Sequence, residues 1–291
     1  MPLHDNFVQN LLDTLKKAAD FLARKGLEKP RVEAEHLFAA ALGIKRLDLY
    51  LQFERLLSEN EVEKLRLLVV RRGNREPLQH IIGRVQFRDL LLKSDRRALV
   101  PRPETEELVE WGLELFPEDQ AIRVLDLGTG SGAIALALAA ERPKWEIDAV
   151  DQSLDALALA KENALNCQLV GRVNFFQSDW FKQVTHRYDL VISNPPYLTA
   201  EEVAVAEPEV KDFEPHSALI SSEEGLADLK MILQQAPLFL KPSGWVLCET
   251  GIDQHSTLAE ISKQLGYANF VGKKDMSGRE RFWKAGGWSQ S

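Results

Sequence analysis

Residues 123–140 read RVLDLGTGSGAIALALAA, and this stretch decides the fold class. It starts with a strand-forming segment, Arg123 to Leu127, passes through a loop with glycine at alternate positions, and continues into an alanine-rich helix. Glycines in such a loop let the backbone approach a ligand closely, and the free N–H groups at the start of the helix face the same point. The stretch predicts a strand–loop–helix unit with a ligand at its turn.

Strands and helices alternate along the chain from Ile122 onward. Besides Arg123–Leu127 we predict strands at Trp145–Asp151, Val173–Ser178, Tyr188–Ser193 and Trp245–Glu249, and a C-terminal hairpin formed by Tyr267–Val271 and Arg281–Lys284. Helical segments lie between the strands, including one from about Thr257 to Leu265. This order is typical of a doubly wound α/β fold with a mostly parallel sheet.

The N-terminal part of the chain shows only helical patterns. Apolar residues recur at three- and four-residue spacing from Phe7 to Leu22, and Gly26 is placed to end that helix. A second helix is expected from about Val32 to Leu42. A third is expected from Ser58 to Val70, where Ser58 and Glu61 can form a capping box.

The pattern changes after this helical region. Residues 77–101 contain two short apolar segments on either side of Arg88 and Asp89, which is typical of a β-hairpin. The prolines and acids that follow Val100 suit the start of another helix. We therefore expect a helical domain over residues 1–76, a hairpin linker over residues 77–101 and the α/β domain over residues 102–291.

The sequence Asn194-Pro195-Pro196-Tyr197 directly follows the predicted strand that ends at Ser193. Neither proline can donate a hydrogen bond to a neighbouring strand, so the strand must end in a rigid turn. Carbonyl oxygens of this turn can accept hydrogen bonds from a planar NH₂ group, while the ring of Tyr197 covers its face. The alternative interpretation is a proline-rich loop that merely ends a strand.

Two further positions suit an adenosine-type ligand. Asp151 ends the second strand about twenty residues after the glycine loop, where a carboxylate can accept from both ribose hydroxyls. Asp179 and Trp180 close the third strand, where they can bracket an adenine ring, although Trp180 could equally be a core aromatic at the sheet edge. Gly128, Gly130 and the following Ala133 also satisfy the dinucleotide fingerprint of dehydrogenases.

The proline motif discriminates between a nicotinamide-dependent dehydrogenase and an S-adenosylmethionine-dependent enzyme. A nicotinamide enzyme needs a hydride acceptor with a proton donor near it, and Asn-Pro-Pro-Tyr supplies neither. An S-adenosylmethionine enzyme needs a nucleophile held in line with a methyl sulfonium, which an amide holder and an aromatic face provide. The combination predicts N-methylation of a planar amide or amino group.

Taken together, these motifs resemble the PrmC/HemK family of peptide chain release factor glutamine methyltransferases. The resemblance covers essentially the whole chain and includes the helical start, PLQHIIG at 77–83, VPRPETEE at 100–107, the glycine loop, NPPY and FEPHSAL at 213–219. One departure is SSEEGL at 221–226, where the family often has a more glycine-rich stretch. The resemblance implies a Rossmann-like class I S-adenosylmethionine-dependent methyltransferase domain with a seven-stranded, mostly parallel sheet.

The resemblance also implies a reaction and the residues that perform it. The substrate is then the glutamine of the Gly-Gly-Gln loop in class I release factors, methylated on its side-chain nitrogen. Asn194, Pro195 and Tyr197 are expected to be catalytic: the Asn194 side-chain oxygen and the Pro195 carbonyl accept the amide protons, Tyr197 packs on the amide plane, and Pro196 stiffens the turn. The expected S-adenosyl-L-methionine contacts are Gly128, Thr129, Gly130, Ser131, Gly132, Asp151, Trp180 and Asn194.

Composition limits the remaining alternatives. A net charge of −8 argues against broad nucleic-acid binding. The basic stretch from Lys64 to Arg102 could still steer an acidic partner. We expect the helical domain to recognise the protein substrate. Cys167 and Cys248 lie far apart and the histidines are scattered, so neither a disulfide nor a metal site is expected. The N-terminus carries no secretion signal and no apolar run is long enough to span a membrane, so we expect a cytoplasmic monomer.

Two rival functions stay open at this point. Within the enzyme class, the substrate could be a glutamine of a ribosomal protein or the amino group of adenine, because NPPY specifies the chemistry but not the substrate. The acidic net charge and the lack of a recognisable target-recognition domain argue against adenine. A noncatalytic binding module that kept the pocket would be expected to have lost one of the pocket residues, and none is visibly degraded.

Overall fold

A computed structural model of the chain describes residues 10–288, without the side chain of Trp288. These residues form two compact units, the first ending at Gly83 and the second beginning at Arg84. The expected helix start near Phe7 lies outside the described residues. Each unit has its own apolar core.

The first unit is helical. Its elements are α1 (Leu11–Arg24), α2 (Pro30–Leu42), a 3-10 helix (Arg46–Leu51), α3 (Glu59–Gly73) and α4 (Leu78–Ile82). The predicted capping box is present, because Ser58 Oγ accepts from the Glu61 N–H and the Glu61 carboxylate accepts from the Ser58 N–H. The 3-10 helix and α4 were not expected. Both are too short for helical periodicity to show in the sequence.

The second unit opens with a hairpin and continues as an α/β domain. The hairpin strands are β1 (Arg84–Phe87) and β2 (Leu90–Lys93). The strands of the main sheet are β3 (Arg123–Leu127), β4 (Glu146–Asp151), β5 (Val173–Gln177), β6 (Tyr188–Ser193), β7 (Leu240–Glu249), β8 (Tyr267–Lys274) and β9 (Glu280–Trp288). The helices are α5 (Pro103–Glu114), α6 (Ala133–Glu141), α7 (Leu154–Asn166), α8 (Ala200–Val205), α9 (Pro208–Lys211), α10 (Ser222–Gly225), α11 (Ala227–Phe239) and α12 (His255–Gln264), with a short 3-10 helix at His216–Ala218.

The main sheet has seven strands in the order β5-β4-β3-β6-β7-β9-β8. The first five are parallel and the last two add an antiparallel edge, which confirms the predicted mostly parallel sheet. Strand β6 follows β5 in the chain but does not pair with it. It pairs with β3, on the side of β3 that faces away from β4. The strand order therefore reverses between β3 and β6, and ligands of doubly wound sheets bind at such a point.

Alternate residues of each central strand face opposite layers of helices. In β6, Leu190 and Ile192 join the core that α5 and α6 cover, whereas Val191 joins the core that α11 and α12 cover. Strand β7 starts five residues before the predicted Trp245, because Leu240 still pairs with Tyr188 ahead of a register shift. The intervening Lys-Pro-Ser-Gly has the composition of a turn, which hides this pairing from the sequence.

Many cations of the basic stretch are paired with acids. In the helical unit Arg66 pairs with Glu63, Arg71 with Glu76 and Arg72 with Glu33; in the α/β unit Arg88 pairs with Glu110 and Glu141, and Arg97 with Asp95 and Glu162. These cations are largely neutralised locally, which weakens the case for an open basic surface. Within residues 10–288, no helix combines the length and apolar character needed to cross a bilayer.

Candidate active site

A pocket opens at the carboxyl edge of the parallel strands. It collects residues that follow four different strands: the glycine loop after β3, Asp151 at the end of β4, Trp180 after β5 and Asn194 after β6. Two segments from outside the sheet complete its wall, one before and at the start of α5 and one around the 3-10 helix at His216–Ala218. The pocket thus brings residues predicted to bind the cofactor together with Asn194, which was predicted to bind the substrate; Pro195, Pro196 and Tyr197 are not among the residues that line it.

The glycine loop holds a conformation that only glycine adopts easily. Gly128, Gly130 and Gly132 have φ values of 69°, 56° and 83°, in the left-handed region. Gly128 and Gly130 line the pocket together with Thr129 and Ser131. Gly132 instead packs on α7, where an added Cβ would lie 3.1 Å from the Cβ of Ala160. Four of the five predicted loop residues therefore face the cavity.

Asp151 ties the glycine loop to the end of β4. One of its carboxylate oxygens accepts from the Gly130 N–H at 2.9 Å, and the other accepts from the Ser153 N–H at 2.9 Å. Burial raises the pKa of Asp151, and these backbone N–H groups oppose that shift. Each oxygen keeps a lone pair for a further donor, so the carboxylate suits the two hydroxyls of a ribose.

Trp180 lines the pocket in a strained backbone conformation. Its φ is 50°, which is unfavourable for a residue with a large side chain. Its ring lies close to the loop, 3.8 Å from the position that a Cβ on Gly128 would take. The apolar indole, the Asp151 carboxylate and the close-approach glycines fit the adenine, ribose and methionine parts of S-adenosylmethionine, respectively.

Asn194 is the residue of the proline motif that lines the pocket, and a chain of hydrogen bonds holds it. Its Nδ2 donates to Thr105 Oγ1 at 3.0 Å, and Thr105 Oγ1 donates to Glu249 Oε2 at 2.7 Å. The other oxygen of Glu249 accepts from the Tyr197 hydroxyl at 2.9 Å. The two polar side chains of the motif are therefore connected through one buried carboxylate.

The electrostatics keep Tyr197 as a neutral phenol. Burial raises the pKa of Tyr197, and the neighbouring Glu249 carboxylate raises it further. Burial also raises the pKa of Glu249, against the hydrogen bonds from Thr105 and Tyr197 and the charge of Arg281. The Arg281 guanidinium stands 5.7 Å from the centre of the Tyr197 ring and donates to its hydroxyl at 3.4 Å. Tyr197 can thus cover a substrate without acting as a base.

Further contacts hold the backbone of the proline motif. Pro195 is buried, whereas Pro196 and Tyr197 are half-buried. Gln254 Nε2 donates to the Tyr197 carbonyl at 3.2 Å and to the Gly225 carbonyl at 3.2 Å, while its Oε1 accepts from the Gly251 N–H at 2.8 Å. The carbonyl of Tyr197 is therefore fixed from outside the motif.

Comparison with known proteins identifies the family. Residues 13–83 match the family model of the PrmC N-terminal domain, and residues 110–210 match that of the methyltransferase small domain. The release factor glutamine methyltransferase of Geobacter sulfurreducens is 38% identical over 92% of this chain and 95% of its own length. The one of Shewanella oneidensis is 43% identical over 87% of this chain and 88% of its own length.

The chain belongs to the release factor glutamine methyltransferase family. The resemblance noted in the sequence is thereby confirmed. Among solved structures, the catalytic domain of human Mettl16 in complex with a MAT2A 3′UTR hairpin matches with a TM-score of 0.57 and 16% identity, over 81% of this chain and 86% of that chain. The N-terminal domain of human METTL16 with SAH matches with a TM-score of 0.52 and 16% identity, over 79% and 84%. At this identity the likeness shows a shared fold.

Several residues of this family member's site were missed at the sequence level. Glu249 was predicted only as the last residue of a strand, and Thr105 only as part of the VPRPETEE stretch. Glu214, which lies in the FEPHSAL stretch, accepts hydrogen bonds from the Val100 N–H at 3.2 Å and from Arg102 at 2.6 Å. No spacing rule could have joined these residues, because they lie between 52 and 144 residues apart in sequence from the partners they meet.

Proposed function

We propose that this protein methylates the side-chain amide nitrogen of the glutamine in the Gly-Gly-Gln loop of class I peptide chain release factors, with S-adenosyl-L-methionine as methyl donor. The observation that carries the proposal is the position of Asn194 in the same pocket as the glycine loop and Asp151. An acceptor for amide protons thus stands beside a site for an adenosine-type ligand. Relatives named for this activity over most of this chain's length support the choice of substrate.

The amide nitrogen of glutamine is a weak nucleophile because its lone pair is delocalised into the carbonyl group. The Asn194 side-chain oxygen and the Pro195 carbonyl accept the two amide protons, which raises the electron density on nitrogen and fixes its direction of approach. Tyr197 packs on the amide plane as a neutral ring. Gly128 to Ser131, Asp151 and Trp180 bind the donor.

The donor supplies an electrophilic methyl group on a positively charged sulfur. The nitrogen forms the new N–C bond and gives up one proton, and the electron pair of the broken C–S bond stays on sulfur. Asn194 and Pro195 hold the attacking nitrogen during this step, and the proton leaves to solvent. Placement of the nitrogen is therefore the main contribution of the protein.

A labelling experiment tests the substrate. The protein is incubated with methyl-labelled S-adenosylmethionine and a mixture of release factor, ribosomal proteins and DNA. We expect the label on the glutamine of the Gly-Gly-Gln loop, located by peptide mass spectrometry. Asn194→Ala should lower the rate by about 100-fold or more and leave donor binding largely in place. Label on a ribosomal protein or on adenine would replace the proposed substrate with one of the rival substrates.

We further propose that the helical unit recognises the release factor outside the Gly-Gly-Gln loop. Three residues bury too little surface for specificity, since stable protein interfaces usually bury about 1,000 Å² or more. The 3-10 helix of this unit exposes Leu47 and Leu51, with 72% and 85% of their surface accessible. Such side chains are available to a protein partner and can be changed without disturbing the core.

The test uses the full chain. Leu47→Ser with Leu51→Ser should raise the KM for intact release factor and leave the KM for a short Gly-Gly-Gln peptide unchanged. Leu67→Ser is the matched control, because Leu67 is also exposed but lies on α3. Equal KM values for intact release factor in the double variant and the control would mean that the 3-10 helix does not contact the substrate.

A further inference from the structure

The Thr105 hydroxyl connects Asn194 of the proline motif to Glu249 at the end of β7. Thr105 belongs to the first turn of α5, is 4% exposed and lines the pocket. Its hydroxyl donates to Glu249 Oε2 at 2.7 Å and accepts from Asn194 Nδ2 at 3.0 Å. Glu249 itself is only 1% exposed, and both of its oxygens accept hydrogen bonds from protein side chains.

The direction of these hydrogen bonds follows from the chemistry of the three groups. Both oxygens of Glu249 accept hydrogen bonds, one from Thr105 and the other from Tyr197, and a threonine hydroxyl has only one proton to donate. The Thr105 proton is committed to Glu249, so Thr105 Oγ1 can only accept from Asn194. The amide of Asn194 must then turn its NH₂ group toward Thr105.

The reverse orientation of Asn194 is unfavourable. If its Oδ1 faced Thr105, the single hydroxyl proton would serve two acceptors, and either Oδ1 or the buried Glu249 oxygen would lose its donor. Leaving a buried acceptor without a hydrogen bond is costly. Two further hydrogen bonds reinforce the arrangement. The Tyr197 hydroxyl donates to the other oxygen of Glu249, and Arg281 donates to the Tyr197 hydroxyl.

We propose that Thr105, anchored by Glu249, is the positioning residue that orients the Asn194 amide, so that Oδ1 faces the substrate and selects a nitrogen that carries protons. The inference rests on the proposed function, because it explains how that site prefers a glutamine amide over a glutamate carboxylate. With Oδ1 presented, an NH₂ group finds an acceptor, whereas a carboxylate meets another acceptor and is repelled. Thr105 thus contributes to specificity without contacting the reacting atoms.

Removing the hydroxyl should release the amide. In Thr105→Val, Asn194 can turn its NH₂ group toward the substrate and donate to a carboxylate. We expect kcat with a Gly-Gly-Gln peptide to fall by about 10- to 100-fold, while the Kd of S-adenosylhomocysteine, measured by calorimetry, stays the same. The preference for the Gln peptide over a Gly-Gly-Glu peptide, taken as the ratio of their dissociation constants, should shrink by about tenfold.

Matched variants separate orientation from general damage. Thr105→Ser keeps the hydroxyl and should restore most of kcat and of the peptide preference. Thr105→Ala removes the hydroxyl without adding volume and should behave as the valine variant does. Thr257→Val changes a half-buried threonine of α12 and should match the parent protein.

The outcomes distinguish this inference from the proposed function. If the parent protein does not methylate the Gln peptide or intact release factor, the proposed function is wrong. If the parent is active and the valine, alanine and serine variants share one kcat and one Gln-to-Glu preference, Thr105 does not orient Asn194. A loss of kcat in the valine and alanine variants with an unchanged peptide preference also overturns the proposal, because it indicates a packing role.

Discussion

The guanidinium of Arg102 donates to a buried carboxylate oxygen of Glu214 at 2.6 Å, across 112 residues of sequence. The second oxygen of Glu214 accepts from the Val100 N–H at 3.2 Å. These bonds join the segment before α5 to the segment that precedes the 3-10 helix at His216–Ala218, and both segments line the pocket. A charged pair outside the sheet therefore links two segments of the pocket wall.

Breaking this pair should loosen the pocket wall. Arg102→Ala leaves the buried Glu214 carboxylate without its cation, although burial already raises the pKa of Glu214. We expect the free energy of unfolding at pH 7 to fall by about 1–2 kcal/mol, a value reduced because Arg102 is partly exposed. Arg102→Ala combined with Glu214→Gln should cost less than the sum of the single changes. Urea denaturation of the four proteins measures this coupling, and additive losses would show that the pair contributes nothing of its own.

A second prediction concerns the strained turn beside the proline motif. Glu224 is exposed and has φ 59° and ψ 36°, a left-handed conformation that costs a residue with a side chain about 1–2 kcal/mol. Glu224→Gly removes this strain, and the larger conformational freedom of glycine in the unfolded chain offsets part of the gain. We expect the free energy of unfolding to rise by about 0.5–1 kcal/mol. Glu224→Ala keeps the strain and serves as control, so equal stability of the two variants would contradict the argument.

Asp151 should determine how tightly the methyl donor binds. Asp151→Ala removes the acceptor that we propose for the ribose hydroxyls and also the hydrogen bond that holds the Gly130 N–H. S-Adenosylmethionine binding should weaken by about 2–3 kcal/mol, measured by calorimetry. Asp155→Ala, an exposed acid in the first turn of α7, is the matched control and should bind as the parent does. An unchanged Kd in Asp151→Ala would place the ribose elsewhere.

Asp126 should make stability depend on pH in an unusual direction. It is fully buried below the glycine loop, with one oxygen bound to the Thr129 hydroxyl and the other without a hydrogen-bond partner among the described residues. Burial raises the pKa of Asp126 from 3.8 to about 7. The folded protein therefore keeps this proton up to about pH 7, whereas the unfolded chain loses it near pH 4.

The contribution of Asp126 to stability consequently falls as pH rises between about 4 and 7. Asp126→Asn does not titrate, so the free energy of unfolding of the parent minus that of the variant should decrease across this window by up to about 1.4 kcal/mol per pH unit. Above about pH 7 the difference should be constant. Urea denaturation at pH 5, 6, 7 and 8 checks this, and a difference that does not change with pH would show that Asp126 titrates normally.

Local sequence determined the architecture of this protein and the chemistry of its pocket. Strands Arg123–Leu127 and Tyr188–Ser193 were predicted with their observed bounds, because their apolar runs end at residues that cannot continue a strand. The glycine loop and the prolines after Ser193 carry their conformation in their own covalent structure. The carboxyl ends of parallel strands meet at one edge, so these signals were enough to predict one shared site.

Only the tertiary structure decided how the site residues are oriented. Thr105, Asn194 and Glu249 come from α5, the end of β6 and the end of β7, and the hydrogen bonds that join them exist because the sheet order places β6 between β3 and β7. Gln254 reaches the Tyr197 carbonyl for the same reason. Local sequence patterns report on neighbours within about one helical turn or one strand, whereas the direction of each hydrogen bond depends on which donors and acceptors the fold buries together.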